Sequence, residues 1–286
     1  MRGSLLAFAA LALVSAAAQS NIDPGHSLSS SDFIGTIDWR ASPTTGAVIN
    51  QFYCSGFIYG NSVGWINLGS GDPANGFSYR NDSATDFGVN LSSSGDLSGF
   101  AYGANIGWIS FAPAGSPKVD WTTGKLSGSA WSANAGWIRL SSETDYLRIQ
   151  SLAQLPDFDG DGLPDAWEIQ VAGSLTVLSA NADSDHDGQS DLQEYLASTN
   201  PLDPSDFLGP LILTSTQQGH QLEFPTKQDR FYRIEQRGSF GSGSWTPVPI
   251  DPVAGTGTKA TVQLLANSAH LFFYRVVAYP PLAQPN

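Results

Sequence analysis

Residues 98–111 read Ser-Gly-Phe-Ala-Tyr-Gly-Ala-Asn-Ile-Gly-Trp-Ile-Ser-Phe, and two further stretches repeat the pattern without a gap: SGFIYGNSVGWINL at 55–68 and SGSAWSANAGWIRL at 127–140. Each begins Ser-Gly, carries Tyr or Trp at its fifth place and reaches Gly-Trp-Ile at places ten to twelve. Within the middle copy, 99–102 and 107–111 are short runs rich in aromatic and β-branched residues, separated by the turn Gly103-Ala104-Asn105-Ile106. Two such runs around a four-residue turn make a β-hairpin. Side chains alternate along a strand, so Ile109 and Phe111 share one face while Trp108 and Ser110 share the other. One hairpin is marginally stable alone, so the three must pack together.

A short strand signal precedes each copy: Ile37-Asp38-Trp39, Val89-Asn90-Leu91 and Val119-Asp120-Trp121. Three strands per repeat predict a pseudo-threefold β-barrel or β-prism over residues 19–150, with a straight stack of hairpins as the alternative. The repeated aromatics Tyr59, Tyr102 and Trp131, with Trp65, Trp108 and Trp137, are expected to fill a shared interior, as repeated aromatics most often do. The competing reading makes them a stacking surface for sugar rings, because Trp108 lies on the face opposite Ile109 and Phe111. Gly60-Asn61-Ser62-Val63-Gly64 matches the nucleophile-elbow pattern, yet it falls on a hairpin turn and Ser62 becomes Asn105 and Asn134 in the other copies. The histidines His26, His186, His220 and His270 share no metal-ligand spacing. No catalytic residue is identified, and the protein reads as a non-enzyme.

Composition agrees with a β-rich chain. Thirty Gly and 17 Pro in 286 residues disfavour a helical bundle. Charged residues make up only 14%, with 26 acidic against 13 basic, which excludes a nucleic-acid binder built on a basic surface. The acidity is concentrated: residues 157–206 hold ten Asp and two Glu with no Lys or Arg, −12 of the total −13. A cation is the partner such a segment implies.

Residues 157–168, Asp-Phe-Asp-Gly-Asp-Gly-Leu-Pro-Asp-Ala-Trp-Glu, fit the calcium-loop template D-x-[DN]-x-[DN]-G-x5-E, and residues 183–194, Asp-Ser-Asp-His-Asp-Gly-Gln-Ser-Asp-Leu-Gln-Glu, fit it again. Chance agreement is on the order of 10⁻⁸ per starting position at this composition. The spacing suits Ca²⁺, which takes six to eight hard oxygens from a loop wrapped around it. In the first loop Asp157, Asp159 and Asp161 each supply an oxygen, the Leu163 carbonyl a fourth, Asp165 one directly or through water, and Glu168 two, with Gly162 permitting the sharp turn. The same roles fall to Asp183, Asp185, Asp187, the Gln189 carbonyl, Asp191 and Glu194, with Gly188 at the turn. Pro156 bars a helix from running into the first loop, whereas 166–171 and 192–197 read as exiting helices. Two bound ions would stiffen an otherwise self-repelling connector.

The loop-then-helix units, their 26-residue spacing and the trailing Ser198-Thr199-Asn200-Pro201-Leu202-Asp203-Pro204 resemble bacterial thrombospondin type 3 repeats. Dockerin modules, which also use calcium loop-helix units and bind a protein partner, are the nearest rival resemblance. Residues 207–286 carry six or seven short strand signals and predict a small antiparallel β-sandwich. Their Phe231-Tyr232-Arg233-Ile234-Glu235, Trp245 and Phe272-Phe273-Tyr274-Arg275-Val276 resemble accessory modules that end secreted modular bacterial proteins.

Arg2, the apolar run 5–14 and Ser15-Ala16-Ala17-Ala18 read as a signal peptide over residues 1–18, predicting a secreted or cell-surface protein with no transmembrane segment. The one cysteine, Cys54, is expected in the core, intermolecular pairing being the other reading. The sequence thus predicts a mainly β chain of four parts: signal peptide, repeated hairpin domain, calcium connector over 151–206 and terminal sandwich. The leading functional expectation is a non-enzymatic protein in which Ca²⁺ rigidifies that connector. The alternatives are a carbohydrate-binding or adhesive module using the aromatic repeats, or an accessory protein docking a surface-protein partner through the acidic segment.

Overall fold

The computed structural model describes residues 19–142, 146–217, 219–238, 243–265 and 272–282, and the chain is mainly β. Residues 1–18 and His270 lie outside the described residues. Eight antiparallel strands form a closed barrel from four hairpins. They are Leu28–Ser31 with Gly35–Asp38, Cys54–Gly60 with Gly64–Gly69, Leu97–Gly103 with Gly107–Ser110, and Ser129–Ser132 with Gly136–Arg139. The pairs Ile66↔Gly103, Trp131↔Ser110 and Ser30↔Arg139 join successive hairpins, and Ile37↔Gly60 closes the ring.

This corrects the expected threefold arrangement to a fourfold one. Ile37-Asp38-Trp39 does not lead into the first copy; Ile37 and Asp38 belong to the second strand of a degenerate fourth hairpin. Its turn pairs Ser31 with Gly35, in the register of Gly60 with Gly64, Gly103 with Gly107 and Ser132 with Gly136. The strand that leads into residues 55–68 is Val48–Ile49.

The turn and second strand of each hairpin supply one side chain at each of three interior levels, and the first strands add Ser29, Ile58, Ala101 and Ala130 opposite the middle one. The turn-end level is Ile34, Val63, Ile106 and Ala135; the middle level Ile37, Ile66, Ile109 and Ile138; the far level Trp39, Leu68, Phe111 and Leu140. The last layer is bound by an edge-to-face contact of Trp39 with Phe111 at 6.4 Å, and Trp39 Nε1 donates to Ser29 Oγ at 2.9 Å. The turns are tied to one another as well: Asn105 Nδ2 donates to Val63 O (3.1 Å), Asn134 Nδ2 to Ile106 O (3.0 Å) and Ser31 Oγ to Ala135 O (2.8 Å). Two glycines show why the repeat keeps them. Gly107 turns the strand at φ +76°, and Gly99, at φ +88°, leaves no room for a Cβ, which would lie 2.3 Å from the Gly88 carbonyl.

The repeated tryptophans are on the outside, against the expectation that they fill the interior. Trp65, Trp108 and Trp137 are 48%, 47% and 47% exposed. An eight-stranded barrel is just wide enough to be filled by side chains, and the alternation that sends Ile66, Ile109 and Ile138 inward turns the neighbouring indoles outward. Cys54 lies in the barrel core, and burial pushes its thiol up to about 12.

The chain stays on the barrel as far as Ala153, whose N–H donates to Ile49 O at 3.0 Å. Two short helices follow, α1 (Asp165–Ala172) and α2 (Asp191–Ala197). The carboxy-terminal strands form two small antiparallel sheets. One holds Ile212–Thr216, Gly219–Pro225 and Lys259–Leu265; in the other, Phe231–Arg237 pairs with Phe273–Tyr279, Thr246–Pro247 and Val253–Ala254. They share one core, with Leu222 and Phe224 from the first sheet and Tyr232 and Ile234 from the second. Among the described residues no helix is long and apolar enough to cross a membrane.

Candidate metal centre

Both acidic loops fold alike. In the first, Asp157 accepts from Gly160 N (2.8 Å) and Gly162 N (3.2 Å), and Asp161 Oδ1 accepts from Leu163 N (2.9 Å). In the second, Asp183 accepts from Gly188 N (3.1 Å), and Asp187 Oδ1 from Gln189 N (2.7 Å). Gly162 and Gly188 occupy φ +96° and +95°, where only glycine is at ease. His186 sits exposed at φ +68°. Each loop runs straight into its helix with no helix before it, as Pro156 dictates for the first.

These turns bring the carboxylates together. Oxygens of Asp157, Asp159 and Asp165 lie within 4.8 Å of one another, as do those of Asp159, Asp161 and Glu168, and those of Asp183, Asp185 and Asp187. Glu168 and Glu194 project from the first turns of α1 and α2 and are completely buried. Both Glu168 carboxylate oxygens lack a hydrogen-bond partner, as does Glu194 Oε2. Asp183, Asp185 and Asp187 each have one further buried oxygen in the same condition. Burial first, then the neighbouring Asp161 and Asp159, pushes Glu168 up to about 7; burial, then Asp185 and Asp187, pushes Glu194 up to about 8.

The ninth-place acids have a second use. Asp165 Oδ1 accepts from Phe158 N and Asp191 Oδ1 from Ser184 N, both at 3.0 Å, clasping each loop to its own start. Asp191 Oδ2 also accepts from Ser179 N and Ser184 Oγ at 2.9 Å. The seventh-place residues are positioned by the Asp two places before them, and Leu163 buries its side chain with Trp167, Leu178 and Ala180.

Three features of this centre escaped the sequence reading. Ser190 caps α2 in a capping box with Gln193, which the Ser-x-x-Gln spacing signals. Thr199 Oγ1 donates to Glu194 Oε1 at 3.4 Å. Arg230, from the carboxy-terminal part, reaches the end of α2: Nε donates to Leu196 O (2.8 Å), Nη2 to Tyr195 O (2.7 Å), and Nη1 pairs with Asp229 (2.7 Å). No local signal marks Arg230 for this place, since its contacts on α2 lie 34 and 35 residues away in sequence.

The acidic segment touches both β-parts. Phe52 of the barrel packs on the cluster around Trp167, Tyr195 Oη donates to Gln51 Oε1 at 3.2 Å, and Ala197 enters the carboxy-terminal core. A cleft of about 560 Å³ lies at this junction, lined by Phe52, Leu91, Trp167, Thr199, Asp229 and Arg230 among others. Comparison with family models, curated proteins and solved structures returns no match.

Proposed function

We propose that residues 157–206 bind two Ca²⁺ ions, one per loop, and that the ions lock a junction between the barrel and the carboxy-terminal sheets. The observation that carries this is a pair of fully buried carboxylates: Glu168, with neither oxygen partnered and grouped with Asp159 and Asp161, and Glu194, whose Oε2 has no partner and which lies beside Asp185 and Asp187. Burying an ionised carboxylate without a partner is strongly unfavourable, and a cation at the loop centre removes that cost. The donor set is all oxygen, which favours a hard ion, and the flexible multi-carboxylate loop favours Ca²⁺ over Mg²⁺. Asp157, Asp159, Asp161, Asp165 and Glu168 with the Leu163 carbonyl would hold one ion. Asp183, Asp185, Asp187 and Glu194 with the Gln189 carbonyl would hold the other, Asp191 chiefly bracing the loop.

Two ions cancel four of the segment's twelve negative charges. They also fix the first turns of α1 and α2, while Phe52 packs on the cluster around Trp167 of α1 and Arg230 holds the far end of α2. Calcium occupancy is thereby converted into a fixed relation between two β-parts, the role of a connector in a secreted, non-enzymatic protein. Isothermal titration of EDTA-stripped protein with Ca²⁺ tests the proposal. Two sites are expected in wild type and one in each of Glu168→Gln and Glu194→Gln, with the lost site weakened at least about tenfold, ~1.4 kcal/mol. An absence of binding heat at millimolar Ca²⁺ would refute it.

A further inference from the structure

The barrel presents a girdle of aromatic rings that its own packing does not use. Trp65 sits 4.9 Å from Tyr59 at 59°, and Trp108 sits 4.9 Å from Tyr102 at 58°, so two hairpins hold the same tilted pair. Phe57 and Phe100 extend the pairs at 6.4 and 6.0 Å, and Phe87 braces Trp108 at 5.0 Å. On the next hairpin Trp131 faces Trp137 across the strand pair, 45% and 47% exposed. The fourth hairpin carries Ser30 and Thr36 at the matching places and interrupts the girdle. Exposed apolar surface held in a repeated, braced geometry marks a contact surface rather than scattered residues.

Charge narrows the occupant. The three aromatic hairpins, 42 residues, contain one charged side chain, Arg139, and it is paired with Asp32 at 2.5 Å. A polyanion finds no cation there. An anionic bilayer is repelled by the net −13 of the chain and meets a curved girdle instead of a plane. Spanning a bilayer needs strands of about 9–11 residues, and those of the barrel are four to seven. What remains next to the rings is neutral and polar: Asn67 and Ser110 share the outward face with Trp65 and Trp108, two residues on. Flat aromatic faces edged by uncharged hydrogen-bonding groups match a pyranose ring, with its C–H face and equatorial hydroxyls.

We infer that the aromatic girdle binds an uncharged polysaccharide, with one ring-stacking bay on each of the three hairpins that carry the repeat, Cys54–Gly69, Leu97–Ser110 and Ser129–Arg139. The bays point in different directions around the barrel, so one molecule engages several chain segments and gains avidity from doing so. The surface is separate from the acidic loops, and calcium is not a ligand-contacting group in it.

The test is native gel electrophoresis of the full chain with Ca²⁺ present, through gels containing hydroxyethyl cellulose, mixed-linkage β-glucan, xylan, galactomannan or dextran, with pectate as the charged control. Retardation by at least one neutral polymer and not by pectate is expected, with a matching change in tryptophan emission. Trp108→Ala should weaken it about three- to tenfold, in keeping with loss of one aromatic contact worth ~1 kcal/mol. Combined Trp65→Ala, Trp108→Ala and Trp137→Ala should abolish it while the Ca²⁺ stoichiometry stays unchanged; if the triple variant fails to fold, the three single variants carry the same comparison. No retardation by any neutral polymer overturns the inference, as does retardation that survives all the substitutions. Co-flotation with phosphatidylcholine/phosphatidylserine vesicles, or a dimer in sedimentation that the tryptophan substitutions dissolve, would assign the girdle to a membrane or to a second copy and equally overturn it.

Discussion

The barrel and the acidic segment solve the problem of buried polarity in opposite ways. Among the described residues, the barrel leaves no buried side-chain nitrogen or oxygen without a partner: Ser20, Ser29, Ser31 and Ser132 all bond to backbone or to Trp39. The acidic segment leaves six such oxygens, all on carboxylates of the two loops. Self-satisfied polar groups belong to a unit whose stability comes from its own apolar layers and closed ladder. Orphaned carboxylates belong to a unit completed from outside. The contrast says which part of the molecule should respond to metal and which should not.

Chelation breaks the comparison most forcefully. With EDTA, residues 157–206 should lose protection against proteolysis and hydrogen exchange, because ten Asp carboxylates, joined by Glu168 and Glu194 as they ionise, repel within a screening length of about 10 Å with no cation among them. The barrel should keep its protection and its β-sheet circular dichroism. The radius of gyration by small-angle scattering should rise with EDTA and fall again with Ca²⁺. Equal protection of the two regions in EDTA would erase the distinction.

The converse substitution is Ile109→Ala in the middle interior layer. Removing a fully enclosed branched side chain from a filled barrel should cost about 2–4 kcal/mol of barrel stability, read as a lowered denaturant midpoint. The Ca²⁺ stoichiometry should remain two. A variant that lost calcium binding along with barrel stability would show that the parts fold as one cooperative unit.

How far these regions could be read in advance differs for the same physical reason. The folds of the two loops were legible because every constrained position of the template carries its acid or glycine, and those acids and glycines make the turns. Three hairpins were legible from their repeat, but the fourth was not. It lacks Ser-Gly and the aromatics at the matching outward places, keeping the inward Ile34, Ile37 and Trp39 that the barrel layers require and the turn glycine Gly35. Period-two alternation shows which residues share a face without showing which face is inside; the barrel takes the isoleucines Ile66, Ile109 and Ile138 inward and turns the repeat's three indoles outward, while Trp39 enters at the far end. Contacts such as Arg230 on the end of α2 depend on how distant parts meet, and nothing local encodes them.

Acidity should move the two metal states in opposite directions. Without metal, Glu168 and Glu194 are held near 7 and 8, above the ordinary 4.5 of an unfolded glutamate. The folded segment therefore binds protons that the unfolded chain has released, so its stability is full below about pH 4.5 and is lost as pH rises through 7 to 8. With Ca²⁺ the same protons compete with the ion, and affinity should fall as pH drops from 8 to 6, approaching tenfold per unit where one proton leaves per ion bound. Melting in EDTA and calcium titrations at pH 6, 7 and 8 measure the two slopes. Slopes of the same sign would contradict the assignment of these glutamates as ligands, while the barrel transition should shift little over this range.

The smallest effect separates the two loops from each other. The second is better organised before any ion arrives: the Ser190–Gln193 capping box fixes α2, Thr199 steadies Glu194, and Arg230 holds the far end of the helix. The first has Pro164 at the cap with no side-chain bond, and Glu168 has no partner at all. Ordering a loop at the moment of binding lowers its affinity, so the second site should fill first. Glu168→Gln should then leave the tighter site and Glu194→Gln the weaker one. Ser190→Ala removes a cap worth about 1 kcal/mol, which should bring the second site down by about fivefold toward the first and leave the first untouched. If Glu194→Gln instead leaves the tighter site, pre-organisation does not set the order, and the difference between the loops must lie in ligand charge alone.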